Sequence, residues 1–142
     1  MPWHPFHRMV TEVAIAPSSE DLAMSNKHML VEQWKCKPLW LAKPLKELQD
    51  FIVGRTKSME SLASLGIRSL GWGHVDHSAK NPVKFDFWAI WQMDSSEAVH
   101  AFLDRVNLSG WYAFFEQLNG TGAAMLALQA LNFLIHTVGV KS

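Results

Sequence analysis

Apolar residues alternate with other types along some stretches of the chain and recur at helical spacing along others. His28–Lys37 alternates: Leu30, Glu32, Trp34 and Cys36 share one face, and Met29, Val31, Gln33 and Lys35 share the other. Pro38 ends this first predicted strand. Residues Pro44–Leu65 carry Leu45, Leu48, Ile52, Met59 and Leu62 at helical spacing, between Pro44 in the first turn and Gly66 just past the end. The segment Leu39–Ala42 before them, with Trp40, adds a short turn. Two strand-forming runs follow, Ile67–Asp76 and Phe85–Met93, on either side of a loop with Asn81 and Pro82; this is the pattern of an antiparallel hairpin. In the second run Phe85, Phe87, Ala89, Trp91 and Met93 form a wholly apolar face, opposite Asp86, Trp88, Ile90 and Gln92. In the first, Leu70, Trp72, His74 and Asp76 oppose Ser69, Gly71, Gly73 and Val75. Asp94 and Glu97 have the spacing of a capping box, opening a helix striped by Val99, Phe102, Leu103 and Val106. Trp111–Asn119 fits a helix or a strand; its second half is assigned to a fourth, edge strand because that completes the sheet. Gly120 and Gly122 break the chain. Ala123–Val138 then forms a closing helix apolar around most of its girth, marked by Gln129, Asn132 and His136.

Strand, helix, strand, strand, helix, strand is the split βαβ order of an α+β, ferredoxin-like βαββαβ subunit. Two helices cover one face of a four-stranded antiparallel sheet, here with an extra C-terminal helix. The apolar face of Phe85–Met93 suits the helix side, with Gly71 and Gly73 allowing close approach. The opposite face then holds Leu30, Glu32, Trp34, Trp72, His74, Asp86, Trp88, Ile90 and Gln92, too much apolar surface to leave in water. A second copy of the sheet, giving a homodimer, would cover it; so would the C-terminal helix. A bulge in any strand would change this division of faces.

The division into segments is 1–26 as an N-terminal extension or arm, 27–119 as the α+β domain, and 120–142 as the C-terminal helix and tail. The first segment opens MPWHPFHRMV and has neither a basic n-region nor an apolar h-region of a signal peptide. Its Met24 precedes SNKHMLVEQW, which reads as a cytosolic start, so the arm is either a mobile or swapped element or an extension from an upstream start codon; as a dispensable tail it leaves His4 and His7 exposed and inert. The 13 basic and 13 acidic residues cancel, leaving no electrostatic footprint for nucleic acid or anionic lipid. No apolar run reaches the ~20 residues of a membrane span. The single cysteine, Cys36, fits a reducing, cytoplasmic compartment. Seven tryptophans are many for 142 residues, and Trp belongs in a core, an interface or a ligand pocket.

The segment VEQWKCKP (Val31–Pro38) resembles the first strand of the antibiotic-biosynthesis monooxygenase branch of the dimeric α/β-barrel superfamily. GWG (Gly71–Gly73), FWAIW (Phe87–Trp91) and GWYAFFEQLN (Gly110–Asn119) are closer to an uncharacterised branch. The likeness covers about residues 27–119 and brings no catalytic signature residue by residue. The superfamily includes cofactor-independent monooxygenases, muconolactone isomerases and haem-handling enzymes. It implies a dimeric α/β barrel, with a pocket between sheet and helices or in the barrel interior. It also implies a cofactor-free enzyme acting on an apolar aromatic or polyketide-like small molecule by isomerisation, cyclisation or oxygenation. The alternatives are a non-catalytic binding or structural homodimer and, third, a haem-binding protein.

The residues give candidate chemistry of their own. Glu32 lies mid-strand among apolar neighbours, where a carboxylate is either paired or raised in pKa for proton transfer. His74 titrates near neutrality and shares its expected face. With Asp86 they make a candidate acid/base set, inside a substrate pocket of Trp34, Trp72, Trp88 and Gln92. The competing reading is a buried network that only fixes the sheet, with the tryptophans serving packing. His74 and His77 fall on opposite faces of a regular strand and have no evident third partner, so no metal site is expected. Cys36 lacks the surroundings of a nucleophile.

Overall fold

The computed structural model describes residues 18–19 and 26–141, with side chains through residue 136. β1 (His28–Cys36) is a central strand, hydrogen-bonded on one side to β3 (Phe87–Met93) and on the other to β4 (Phe115–Ala123). β2 (Ile67–His74) pairs with the far side of β3, so the order is β2-β3-β1-β4 and every neighbouring pair is antiparallel. This is the ferredoxin-like α+β arrangement expected from the element order. The helical elements are α1 (Pro38–Leu41), α2 (Leu45–Met59), a 3-10 turn (Ala63–Leu65), α3 (Ser96–Leu108), α4 (Trp111–Phe114) and α5 (Ala127–Lys141). The chain divides into two compact units, Lys27–Ala123 and a second made of Met1–Asn26 and Ala124–Ser142. The arm, including His4 and His7, lies almost wholly outside the described residues.

The core lies between the sheet and α3. Leu30, Ala89 and Met93 are wholly excluded from solvent, and Trp34, Trp91, Ile67, Val99, Phe102 and Phe115 nearly so. Burying side chains of this size contributes about 1.5–3 kcal/mol each. α3 fixes itself there by a capped start: the Ser95 hydroxyl accepts from the Ala98 backbone N–H at 3.1 Å. The cap is thus Ser95 and not Asp94, whose carboxylate pairs with Lys27 at 2.8 Å. By contrast α2 buries no residue completely, and Leu45, Ile52 and Val53 of this helix are largely exposed. It stops at Met59, earlier than the apolar spacing suggested, and Leu62 enters the core from the turn that follows. Gly120 and Gly122 do not break the chain; they continue β4 opposite Val31 and Met29. On α5, Leu131, Phe133 and Leu134 are more than half exposed.

The division of sheet faces needs correction. Leu30, Glu32 and Trp34 stand opposite Trp91, Ala89 and Phe87 in the register, and Trp72 and His74 opposite Ala89 and Phe87. These residues therefore share the helix side. Asp86, Trp88, Ile90 and Gln92 belong to the other side, with Val31 and Leu118. Alternation within a strand gives two faces but does not say how one strand's faces match its neighbour's; pairing register does. An irregularity between Ser69 and Gly71 adds to this, letting Ser69 and Trp72 face the same way, with the Trp72 indole donating to the Ser69 hydroxyl at 2.7 Å. Gly71 and Gly73 lie on the outer side, not the helix side, beneath the ring of Trp88.

Gly73 tolerates nothing larger. A Cβ built there would stand 2.7 Å from Trp88 Cζ2, whereas at Gly71 the nearest ring atom is 3.4 Å away. The Trp88 ring is tethered besides, its indole donating to the His74 carbonyl at 3.1 Å. Gly73→Ala is expected to lower stability by about 1–3 kcal/mol in urea unfolding, whereas Gly71→Ala, whose Cβ meets the ring at ordinary contact distance, is expected to leave it unchanged or raise it by up to about 1 kcal/mol. Equal stability of Gly73→Ala and the parent would contradict this packing.

Candidate functional site

Glu32 is the one buried charged residue in the described core. It sits mid-way along β1, flanked across the sheet by Ala89 and Asn119. The small Ala89 leaves room above it, and two neighbours fill the polar requirement. The Trp91 indole donates to Oε1 at 2.6 Å, and the Gln117 amide donates to Oε2 at 2.6 Å. Gln117 is itself oriented: its Oε1 accepts from the Trp111 indole at 2.8 Å, and its Nε2 also donates to Asn119 Oδ1 at 2.8 Å. Burial pushes the Glu32 carboxyl above its ordinary value, outweighing the Trp91 and Gln117 hydrogen bonds that favour the charged form. Burial likewise pushes up the Tyr112 phenol, against a hydrogen bond with the Asn119 side chain; the Glu32 charge adds to the rise.

A cavity of about 340 Å³ opens on this carboxyl. Its sheet side is Glu32, Trp72 and Trp91, with Trp111 from α4. Arg55, Ser58 and Met59 of α2, then Leu62, enclose one flank. Phe102, Arg105, Val106, Leu108 and Ser109 of α3 and its end enclose the other. The aromatic rings interlock: Trp72 meets Trp91 edge-on at 5.5 Å, Trp34 meets Trp72 and Trp111 at 5.6 and 5.7 Å, and Trp91 lies 4.7 Å from Phe102. Such a volume, mostly apolar with a few convergent polar groups, is the usual form of a small-molecule site.

The structure brings together only part of the set expected from sequence. Glu32 and Trp72 line the cavity. Trp34 is buried behind them in the core, 5.8 Å from Phe87. His74 is at the exposed end of β2, its ring 4.9 Å from Phe87, and is outside the cavity lining. Asp86 is exposed beside the hairpin loop, 3.7 Å from His77. Trp88 and Gln92 are on the outer sheet face. His77 donates from Nε2 to the Phe85 carbonyl at 2.7 Å. Among the described residues no group of three or more His, Cys, Asp or Glu is placed to hold a metal. No histidine, cysteine or tyrosine lines the cavity, so its lining lacks the usual axial ligands for a haem iron apart from the thioether of Met59. The Cys36 thiol is pushed up by burial and by the charge of Asp86, away from thiolate character.

Several residues of the site escaped the sequence reading. Strand alternation puts Trp91 on the helix side and Glu32 on the other, so their bond is not legible from the sequence. Gln117 had a signal that was not used: in a strand starting at Phe115 it falls on the same side as the buried Phe115. Arg55 and Arg105 come from helices whose polar positions look solvated in sequence.

A model of a family of unknown function, DUF6616, matches residues 27–137. The chain belongs to this family. No curated protein matches the sequence. Among solved structures, two mutants of chlorite dismutase from Candidatus Nitrospira defluvii are similar, each at 13% identity with a TM-score of 0.55. Each match covers 91% of this chain and 50% of the dismutase chain, so this DUF6616 chain spans about half the length of those it matches. At that identity the likeness shows a shared fold. No helix among the described residues is long and apolar enough to cross a membrane.

The raised Glu32 carboxyl has a consequence for stability. Below its unfolded-state value, near 4.5, it is neutral in both states. As pH rises past that value the unfolded chain releases the proton while the folded one retains it, and folding weakens until the folded-state value is passed. The parent is therefore expected to lose stability relative to Glu32→Gln as pH rises past about 4.5, in paired denaturation series. A parent that holds or gains stability relative to Glu32→Gln as pH rises would contradict the raised value.

Proposed function

We propose that this protein is a cofactor-free enzyme that acts on an apolar, aromatic or polyketide-like small molecule by proton transfer, with Glu32 as the acid/base group. The observation that carries this reading is a buried carboxyl, raised by desolvation, on the wall of an aromatic cavity. A carboxyl held above its ordinary range is a better proton acceptor than a solvated one, which moves it in the direction general acid/base catalysis favours. Trp91 and Gln117 hold both oxygens, so the proton moves at a fixed position. The indole walls of Trp72, Trp91 and Trp111 accept a flat substrate and exclude water. His74 and Asp86 lie outside the cavity and take no part in the proton transfer. Enolisation, and the isomerisations or cyclisations that pass through it, is the chemistry a lone carboxyl in such a pocket performs best.

A second reading is favoured by the completeness of the Glu32 hydrogen bonds: the carboxylate ties β1 to β3 and β4 and serves only the fold. The two readings separate by exchange of the α-hydrogens of an aromatic ketone such as 2-tetralone in D2O, followed by NMR. The parent is expected to accelerate exchange, Glu32→Gln to reduce that acceleration about 10²-fold or more, and His74→Asn to leave it near the parent's. No acceleration by the parent, together with lost stability in Glu32→Gln, would establish the purely structural role.

The proposed assembly is a homodimer through the outer sheet face, where Val31 and Leu118 are 37% and 61% exposed beside Trp88 and Ile90. This differs from the face first assigned to the interface, because register turns Trp34 and Trp72 toward the helices. Sedimentation is expected to give twice the 16.1 kDa chain mass, and Leu118→Glu to give the single mass; a monomeric parent would end the proposal.

A further inference from the structure

We infer that Arg55 and Arg105 form an anion anchor at the helical side of the cavity, selecting ligands that join an aromatic body to a carboxylate. The inference rests on the cavity being a ligand site and specifies what enters it. Both guanidinium-bearing residues line the cavity, one from α2 and one from α3. Arg55 Nε is buried and has no hydrogen-bond partner. A buried N–H on a charged group is costly to leave unmade, and native structures rarely do so without a ligand, water or ion to supply the acceptor. The Arg55 guanidinium carbon lies 5.3 Å from the centre of the Phe51 ring, a cation–π contact that uses none of its N–H donors. Arg105 makes a 3.5 Å contact from Nη2 to the Ser61 hydroxyl, a weak neutral partner for a cation. Among the described residues neither arginine is in a salt bridge; the charged pairs are Lys27–Asp94, Lys35–Glu116, Lys43–Glu47, Lys46–Asp50 and His77–Asp86.

Charge decides the class of ligand. The only acid in the cavity lining is Glu32, on the sheet side and already engaged by Trp91 and Gln117. The lining thus carries a net charge of about +1 with Glu32 ionised and about +2 with it neutral. A monoanion matches this balance, and the planar guanidinium fork matches a carboxylate through paired N–H donors. The ends of the cavity then have different tasks. The carboxylate of the ligand meets the helical side, its ring lies among Trp72, Trp91 and Trp111, and the atom that exchanges a proton faces Glu32.

Matched acid and amide probes test this: 2-naphthoate against 2-naphthamide, with affinity read from indole fluorescence and calorimetry in parent, Arg55→Gln and Arg105→Gln proteins of checked thermal midpoint. The parent is expected to prefer the acid by about tenfold or more, less at high salt. Each arginine variant is expected to lose most of that preference while binding the amide as the parent does. Equal binding of acid and amide by the parent overturns the anchor and leaves the cavity as a site for neutral ligands. Retention of the acid preference in both variants overturns it too. Binding of neither probe overturns the anchor together with the ligand-site reading on which it rests.

Discussion

A carboxylate buried in the middle of a central strand is the constraint around which the sheet and its cavity are arranged. Desolvating Glu32 is costly, and two charge-assisted hydrogen bonds of 2.6 Å offset the cost without cancelling it. One donor, Trp91, comes from the strand on one side of β1; the other, Gln117, comes from the strand on the opposite side. The same bonds reach diagonally from Glu32, to Trp91 opposite Leu30 and to Gln117 opposite Trp34, and so tie three strands together and pin their register. Any slip by one residue would turn Glu32, Trp91 and Gln117 onto different faces. The residual imbalance between desolvation and hydrogen bonding is what makes the carboxyl a candidate for chemistry.

The aromatic residues divide between two tasks by depth. Trp34 and Phe115 are nearly inaccessible and serve the core, whereas Trp72 is 45% exposed and lines the cavity. Trp91 does both, packing against Phe102 while its indole N–H holds Glu32. α2 contributes differently. With no fully buried residue, it covers the cavity loosely and presents Arg55, Ser58 and Met59 to it. An element with few buried contacts opens at low free energy, so α2 is the side of the cavity that opens most readily.

Sequence patterning revealed the elements, their order and the ferredoxin-like arrangement, because apolar period and turn residues carry that information locally, and it marked Glu32 as a carboxylate among apolar neighbours. The composition of the site was less legible. Which strand faces coincide is a property of inter-strand register, and no residue in β1 announces that Glu32 looks toward Trp91 and not toward Trp88. The irregularity at Leu70 is equally silent: Ser69 and Gly71 look like ordinary alternation until pairing shows otherwise. Arg55 and Arg105 were hidden for another reason. Polar residues on amphipathic helices are normally solvated, and only the packing of α2 and α3 across the sheet makes these two converge.

The measurement closest to the central claim is the Trp91 indole N–H resonance followed by NMR as a function of pH, since that proton is donated directly to the Glu32 carboxyl. The account predicts a titration with its midpoint above 4.5, abolished in Glu32→Gln. A midpoint at or below that value, or a titration that persists in the variant, would contradict it.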